Sequence, residues 1–429
     1  MSIFATQQLE DSNVEGTKTE IKWVIECLEE KNRDFKSARG NAKVTKVDAS
    51  HISGGKGFAS KVYKLTIYFD DKSKKPFIIA LKIPGMDSMN EALENQKMNN
   101  DGEDEMINSD LLAKAHDREC KFYNQFTQIP DLKIVKCYGS RDWTTMENQE
   151  GALIMDFLAS STNNQFVYSL NIHQARNCLK EVHNLQAYFF SLPSKQWQNE
   201  YTIIFGAEEF EKMSPILAIN WAKIRTFVPN ELFKDYEEDI LSLTDSFGQV
   251  LRFISNDLVN LEGNIKCFVH NDLWSNNVTY TVDSDGNPGN EIGAIIDWQI
   301  PYCGCIGVDI ARVIVTGCSP EIRREIETVD LPKYYDSLKM EIINRGGSFE
   351  MTWEMFKLNY DFCMIEQSMD LLIMYSFALQ NYSVPEEAGD YLWDARKYAL
   401  GSRITFALID AVKKCRLIKP EWLIKKVEE

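Results

Sequence analysis

Apolar positions along the chain repeat with two different periods. Between Thr17 and Lys31, Ile21, Val24, Ile25 and Leu28 recur at i, i+3, i+4 and i+7, which predicts an amphipathic helix with Thr17 and Glu20 as its capping box. From His51 to Phe69 the pattern becomes strand, flexible turn, strand: the cluster Ser53-Gly54-Gly55-Lys56-Gly57-Phe58-Ala59-Ser60 runs into the alternating Lys61-Val62-Tyr63-Lys64-Leu65-Thr66-Ile67-Tyr68-Phe69. Asp70 to Pro76 is a charged turn, and Phe77-Ile78-Ile79-Ala80-Leu81-Lys82-Ile83 completes a three-stranded antiparallel meander. Gly85 to Asp110 has no steady period and reads as a long loop or irregular insertion. Ser109 or Asp110 then caps a helix through Phe126, with Leu112, Ala115, Phe122, Tyr123 and Phe126 as one stripe and Glu119 on it. Short strands are predicted at Leu132 to Gly139 and at Ala152 to Asp156, around the charged turn Arg141 to Gly151.

From about Ser160 the helical period dominates, as in Leu170 to Phe190, Pro215 to Thr226, Leu232 to Leu261 and Phe349 to Gln380. One region departs from it. Ile265 to Val269 is a short apolar strand, Val278 to Val282 alternates, Asp283 to Asn290 is a turn, and Ile292 to Ile296 is apolar again, so a hairpin sits inside a helical region. The pattern predicts an α+β protein with no internal repeat: residues 1–158 carry an antiparallel sheet, and residues 159–429 are mainly helical.

The composition is that of a folded protein, with 44% hydrophobic and 26% charged residues in 429, and it excludes collagen-like, disordered and mini-protein readings. A net charge of −17 makes the overall field repel polyanions, so nucleic acid and anionic membrane surfaces are poor partners. Any site for a phosphorylated ligand must build positive potential locally, from a few lysines, backbone N–H groups and a bound metal ion. Ten cysteines form no regular framework, and the Met-Ser-Ile-Phe-Ala-Thr-Gln-Gln start has neither a basic nor an apolar leader region, which predicts a reducing, cytoplasmic setting. The apolar runs around Phe77 to Leu81 and Leu371 to Ala378 fall far short of the ~20 residues a membrane helix needs. Cys303-Gly-Cys305 and Cys318 lack a second pair at ligand spacing and read as buried thiols rather than as a zinc site.

Candidate chemistry gathers at the ends of the hairpin. His270-Asn271-Asp272-Leu273-Trp274-Ser275-Asn276-Asn277 stands on one side and Ile296-Asp297-Trp298-Gln299 on the other. Phosphoryl transfer needs a carboxylate to orient and accept the proton of the attacking hydroxyl, oxygen ligands for magnesium, and a cation on the phosphates. Asp272 fits the first role, and Asn277 with Asp297 the second. Lys82 interrupts an apolar strand and Glu119 an apolar helix stripe; pairing them resolves two costly burials and leaves Lys82 placed for phosphate. Gly55 and Gly57, with Ser60 where a third glycine would stand, let backbone N–H groups approach phosphates. Taken singly, a glycine turn is usually just a hairpin turn, a strand lysine usually snorkels outward, and Asp or Asn usually caps or turns. Their joint order along one chain gives the reading its force. His270 reads as packing the loop, since Asp272 already supplies the proton acceptor.

At these motifs the chain resembles the kinase-like phosphotransferases, namely choline/ethanolamine kinases, aminoglycoside phosphotransferases and, most closely, the ecdysteroid-kinase-like (CHK kinase-like) family. The residues carrying the resemblance are Gly55-Lys56-Gly57-Phe58-Ala59-Ser60, Arg118-Glu119-Cys120-Lys121-Phe122-Tyr123, His270 to Asn277 and Ile296 to Gln299. The resemblance spans about residues 20 to 415. It implies a two-lobed protein-kinase-like fold, with a small antiparallel-sheet N-lobe and a large mainly helical C-lobe. ATP and Mg²⁺ are the implied cofactors, with ATP between the lobes. Phe58 and Ala59 would belong to the turn over the phosphates, Asp156 and Phe157 would end a hinge whose backbone holds adenine, and Asp309 would brace the catalytic loop. Family members more often carry Gly where Asn271 stands, a departure expected to be mild because the Asp and Asn spacing is kept.

A protein kinase fits less well, since Asp297-Trp298-Gln299 replaces Asp-Phe-Gly and no Ala-Pro-Glu follows. A metal hydrolase lacks an H-E-x-x-H pair and a serine hydrolase lacks G-x-S-x-G. The expected activity is transfer of the γ-phosphate of ATP to a hydroxyl of a small metabolite, choline-like, sterol-like or another alcohol. The alternative is a catalytically silent kinase-like protein that binds nucleotide or ligand. Aromatic residues of the last third, such as Trp353, Tyr360 and Tyr375, could cage an amine or wall a sterol, but their helical spacing favours core packing.

Overall fold

The computed structural model describes residues 3–52, 60–85, 108–126, 129–144, 149–379 and 389–424. They fall into two units: Met1–Gln128 with Ile134–Ala159, and Ile129–Lys133 with Ser160–Glu429.

The first unit is built on five antiparallel strands in the order β1-β2-β3-β5-β4, where β1 is Val44–His51, β2 Ser60–Phe69, β3 Phe77–Pro84, β4 Cys137–Arg141 and β5 Ala152–Asp156. Strand β3 lies at the centre. Covered on both faces, it is apolar almost throughout rather than alternating. Helices Ile21–Lys31 and Arg33–Arg39 lay Val24, Ile25, Leu28 and Phe35 on Leu65, Ile67, Ile79, Leu81 and Ile154, all with no solvent exposure. Each such aliphatic burial contributes about 1.5–3 kcal/mol, so this face anchors the sheet on which Lys82 sits.

Three sequence expectations are corrected here. The helix predicted from Thr17 begins at Ile21 without a capping box, because Thr17 bonds within its own turn, donating its hydroxyl to Val14 O and accepting from Thr19 N. The helix Ser109–Gln125 is capped not by Ser109 or Asp110 but by Asn108, whose Oδ1 accepts from Leu111 N at 2.9 Å. Of the strand predicted from Leu132 to Gly139, only Cys137 to Gly139 lie in β4. Residues 129–133 belong to the second unit, where Lys133 N donates to Glu181 and Lys133 O accepts from Ile295 N.

The second unit is mainly helical, which with the sheet of the first makes the α+β class expected. Its strands form two small antiparallel groups. In one, β6 Ser161–Asn163, β8 Val278–Val282 and β9 Pro288–Ile295 lie in that order; in the other, β7 Lys266–Val269 pairs with β10 Tyr302–Cys305. The long helix predicted over Leu232 to Leu261 is broken into Glu237–Asp245, Phe247–Arg252, a wider π turn at Phe253–Asp257 and a tighter 3-10 turn at Leu258–Asn260. Ser246 sits at the first break and donates to Trp422 O. The helix Gly307–Gly317 is buried at every residue and crosses Trp353–Leu379 closely. A Cβ on Gly307 would lie 2.8 Å from the Asn359 carbonyl oxygen, so only glycine permits this approach.

All ten cysteines are free thiols, buried or half-buried. Among the described residues, no helix is long and apolar enough to cross a membrane.

Candidate active site

Lys82 is central in β3, opposite Val62 of β2 and Leu153 of β5, and is buried. An unpaired ammonium there would cost several kcal/mol. On the helix Ser109–Gln125, Glu119 shares the buried face with Leu112, Ala115, Phe122 and Tyr123, and it has no solvent exposure. Lys82 Nζ donates to Glu119 Oε2 at 2.7 Å, so strand and helix each place one half of a buried ion pair. Neighbouring His116 is pushed down to about 4, chiefly by burial.

Ser60 opens β2 and is buried, whereas Gly55, Gly57, Phe58 and Ala59 lie outside the described residues. Asp156 ends β5 and accepts a 2.5 Å bond from the Tyr138 hydroxyl, whose pKa is raised by burial and by that carboxylate. Just beyond, the Phe157 carbonyl accepts from Ala159 N, and Lys64 lies over the Phe157 ring.

In the second unit β7 delivers the chain to His270, and the loop that follows is fixed by its own polar groups. Asp309, fully buried on the helix Gly307–Gly317, accepts from His270 N and Asn271 N at 2.8 Å each, one bond to each carboxylate oxygen. Burial pushes its pKa up, against the pull of the His270 and Asn271 N–H groups and of Arg312. Asn271 has φ +70°, a left-handed conformation that glycine adopts without cost and asparagine tolerates better than most residues. This accounts physically for a position where both residue types are suited. The His270 ring contacts Trp298, with Nε2 3.0 Å from Ile296 O and Nδ1 3.2 Å from Asp272 N. Neutral imidazole satisfies both bonds, with Nε2 donating and Nδ1 accepting. His270 is therefore a structural member of the loop.

Asp272 is held at both carboxylate oxygens. Asn277 Nδ2 donates to Asp272 Oδ2 at 2.8 Å and to Asp272 O at 2.8 Å. The Arg312 guanidinium donates to Asp272 Oδ1 at 2.7 Å, and its other terminal nitrogen binds Gln367 Oε1 and Asp370 Oδ2. Asn163 of β6 donates to Asn276 O and Val278 O, tying down the end of the loop. Ile296 N donates to Asn277 O, so Asn277 and Asp297 follow adjacent backbones. Asp297 has φ +67°.

Asn277 and Asp297 carry the hard oxygen donors that would hold a magnesium ion. The amide nitrogen of Asn277 is committed to Asp272, so Oδ1 is the atom it offers, and Asp297 adds a carboxylate. Mg²⁺ typically takes one or two protein oxygens and completes its shell with phosphates and water. Among the described residues no group of three His, Cys, Asp or Glu side chains forms a cage able to hold a metal by itself.

Sequence reasoning missed Arg312, Gln367 and Asp370. The signal for Arg312 was present, because it is a charge inside the apolar run Gly307 to Gly317, one turn after Asp309. Gln367 and Asp370 carry no comparable mark. Glu366, beside them on the helix Trp353–Leu379, is pushed up to about 7 by burial, partly countered by Arg312.

A central-strand lysine paired with a helix glutamate, followed in a helical unit by an H-x-D-x4-N loop and an Asp after the next strand pair, is the arrangement of the kinase-like fold. A family model described as "Uncharacterized oxidoreductase dhs-27" (DUF1679) matches residues 28–397, and the chain belongs to that family. The CHK kinase-like subfamily is not the family this match names. The Caenorhabditis elegans protein "Uncharacterized oxidoreductase dhs-27" is 26% identical over 366 residues, covering 84% of this chain and 43% of that protein. The chain thus spans less than half of that relative's length. A second C. elegans relative, "Uncharacterized kinase-like protein D1044.1", is 21% identical over 344 residues, covering 76% of this chain and 83% of the relative. Among solved structures, a putative aminoglycoside phosphotransferase from Ralstonia eutropha is similar at 12% identity and a TM-score of 0.39, covering 90% of this chain and 98% of that one.

Proposed function

We propose that the chain is an ATP- and Mg²⁺-dependent phosphotransferase acting on a hydroxyl of a small molecule. The observation that carries this reading is the doubly held carboxylate of Asp272, set in a loop whose backbone is clamped by Asp309. In this reading Asp272 orients the acceptor hydroxyl and takes its proton as the new oxygen–phosphorus bond forms and the bond from the γ-phosphorus to the β-bridging oxygen breaks. The proton then leaves to solvent. Lys82, kept in place by Glu119, donates to phosphate oxygens. Asn277 and Asp297 would hold Mg²⁺, which when bound neutralises charge on the phosphates. Ser60 with Gly55, Gly57, Phe58 and Ala59 is assigned to the phosphate-covering turn, and the backbone at Asp156 and Phe157 to adenine.

The oxidoreductase name of the longer relative has little support in this chain. Dinucleotide-binding folds use a parallel sheet and a glycine-rich turn that opens a helix. Every pairing between the strands β1 to β10 is antiparallel, and the glycine cluster precedes a strand. The acceptor is a small alcohol, choline-like, sterol-like or other, and free thiols throughout suit a reducing compartment. Incubation with γ-labelled ATP, magnesium and a metabolite extract, followed by mass detection, tests the reading. A phosphorylated small molecule supports it. Tight nucleotide binding without any product would instead favour a silent binding protein.

A further inference from the structure

We infer that Arg312 is a positioning residue for the phosphoryl-transfer step, setting the orientation of the Asp272 carboxylate. The inference rests on the phosphotransferase reading and adds a residue to its machinery.

A carboxylate on a loop can rotate about its last side-chain bond, and rotation moves the oxygen that must meet the acceptor hydroxyl. Here the rotation is stopped from two sides. Asn277, within the loop itself, takes Oδ2, while Arg312 reaches Oδ1 from the buried helix Gly307–Gly317. Arg312 is itself fixed. One terminal nitrogen is given to Asp272, and the other is anchored by Gln367 and Asp370, one turn apart on the helix Trp353–Leu379. Its side chain is about one-tenth exposed, as is that of Asp370, so the anchoring half of the bridge is shielded from bulk water and its charge-assisted bond is strengthened, while the Asp272 side chain keeps 27% exposure. The planar fork of arginine permits one group to face two carboxylates at once; a lysine ammonium has no such geometry. Asp309 sits three residues earlier on the same helix and clamps the loop backbone, so a single rigid element fixes both the path of the loop and the direction of its carboxylate.

A purely structural salt bridge would make the same contacts, so the test must separate the two roles. Wild type, Arg312→Gln, Asp272→Asn and the double variant are compared for kcat, KM for ATP, Mg-ATP affinity by calorimetry, and thermal midpoint. Arg312→Gln is expected to lower kcat about 10²-fold, the scale of a misplaced catalytic group, with KM for ATP and Mg-ATP affinity changed less than about threefold. Introduced into Asp272→Asn, the same change should lower the residual kcat by no more than about twofold, since no carboxylate is left to orient. The thermal midpoint lost to Arg312→Gln should likewise shrink in that background. Should Arg312→Gln fail to fold, Arg312→Lys keeps a cation beside Asp370 while losing the fork, and a fall in kcat of about tenfold at unchanged KM is expected. Equal losses of kcat from Arg312→Gln in the wild-type and Asp272→Asn backgrounds would overturn the inference alone, as would an Arg312→Lys enzyme with wild-type kcat. No phosphoryl transfer by the wild-type chain would overturn the underlying reading and the inference with it.

Discussion

Lys82 and Glu119 form a 2.7 Å ion pair with almost no solvent exposure on either side chain. Removing one partner breaks a buried ion pair and leaves the other charge buried without it. Lys82→Met is therefore expected to destabilise the protein by about 3–5 kcal/mol in urea unfolding. The double variant Lys82→Met with Glu119→Leu should recover most of that loss, since an apolar pair of similar volume suits the site. Both variants should lose productive ATP binding. A Lys82→Met protein as stable as wild type would contradict the buried pairing.

Gly307 starts the helix that carries Asp309 and Arg312. A Cβ there would meet the Asn359 carbonyl carbon and oxygen and the Tyr360 Cα at 2.8–2.9 Å, all backbone atoms that cannot move aside cheaply. Gly307→Ala should cost about 1–3 kcal/mol through overpacking, measured as a lowered thermal midpoint. Because the displaced helix bears the Asp272 clamp, turnover should fall as well. A fully stable and active Gly307→Ala would show that the two helices have more room than their contact suggests.

Glu366 has its pKa raised from 4.5 to about 7 by burial. The folded state therefore holds a proton that the unfolded chain releases between those values. Its contribution to stability is complete below about pH 4.5 and is lost as pH rises through about 7. Glu366→Gln removes this titration, so relative to wild type it should gain about 1–3 kcal/mol between pH 5 and pH 8. Denaturant midpoints across that range measure it. Parallel pH profiles for the two proteins would contradict a shifted Glu366.

Much of the fold was legible because period and burial coincide. The stripe of Ser109–Gln125 and the apolar β3 each hold a charge where only a buried partner makes sense, so Lys82 and Glu119 could be paired before their distance was known. The loop from His270 to Asn277 was legible from residue type and spacing. Boundaries were less so. Thr17 and Ser109 are plausible caps that local bonding overrides in favour of a bonded turn and of Asn108. Leu132 and Lys133 look like the start of a strand but belong to the second unit, where Lys133 is bonded by Glu181 and Ile295. The roles of Gln367 and Asp370 were invisible, because their contact with Arg312 joins positions 55 and 58 residues apart on two helices whose crossing no local pattern encodes.

The most direct test of phosphoryl transfer by Asp272 compares wild type with Asp272→Asn in γ-labelled ATP, magnesium and an alcohol-containing metabolite mixture, with Mg-ATP affinity measured in parallel. Wild type should yield a phosphorylated small molecule, and Asp272→Asn should form it about 10²–10⁴-fold more slowly while binding Mg-ATP with nearly the same affinity. Equal product from both proteins, or none from a wild type that binds Mg-ATP, would contradict it.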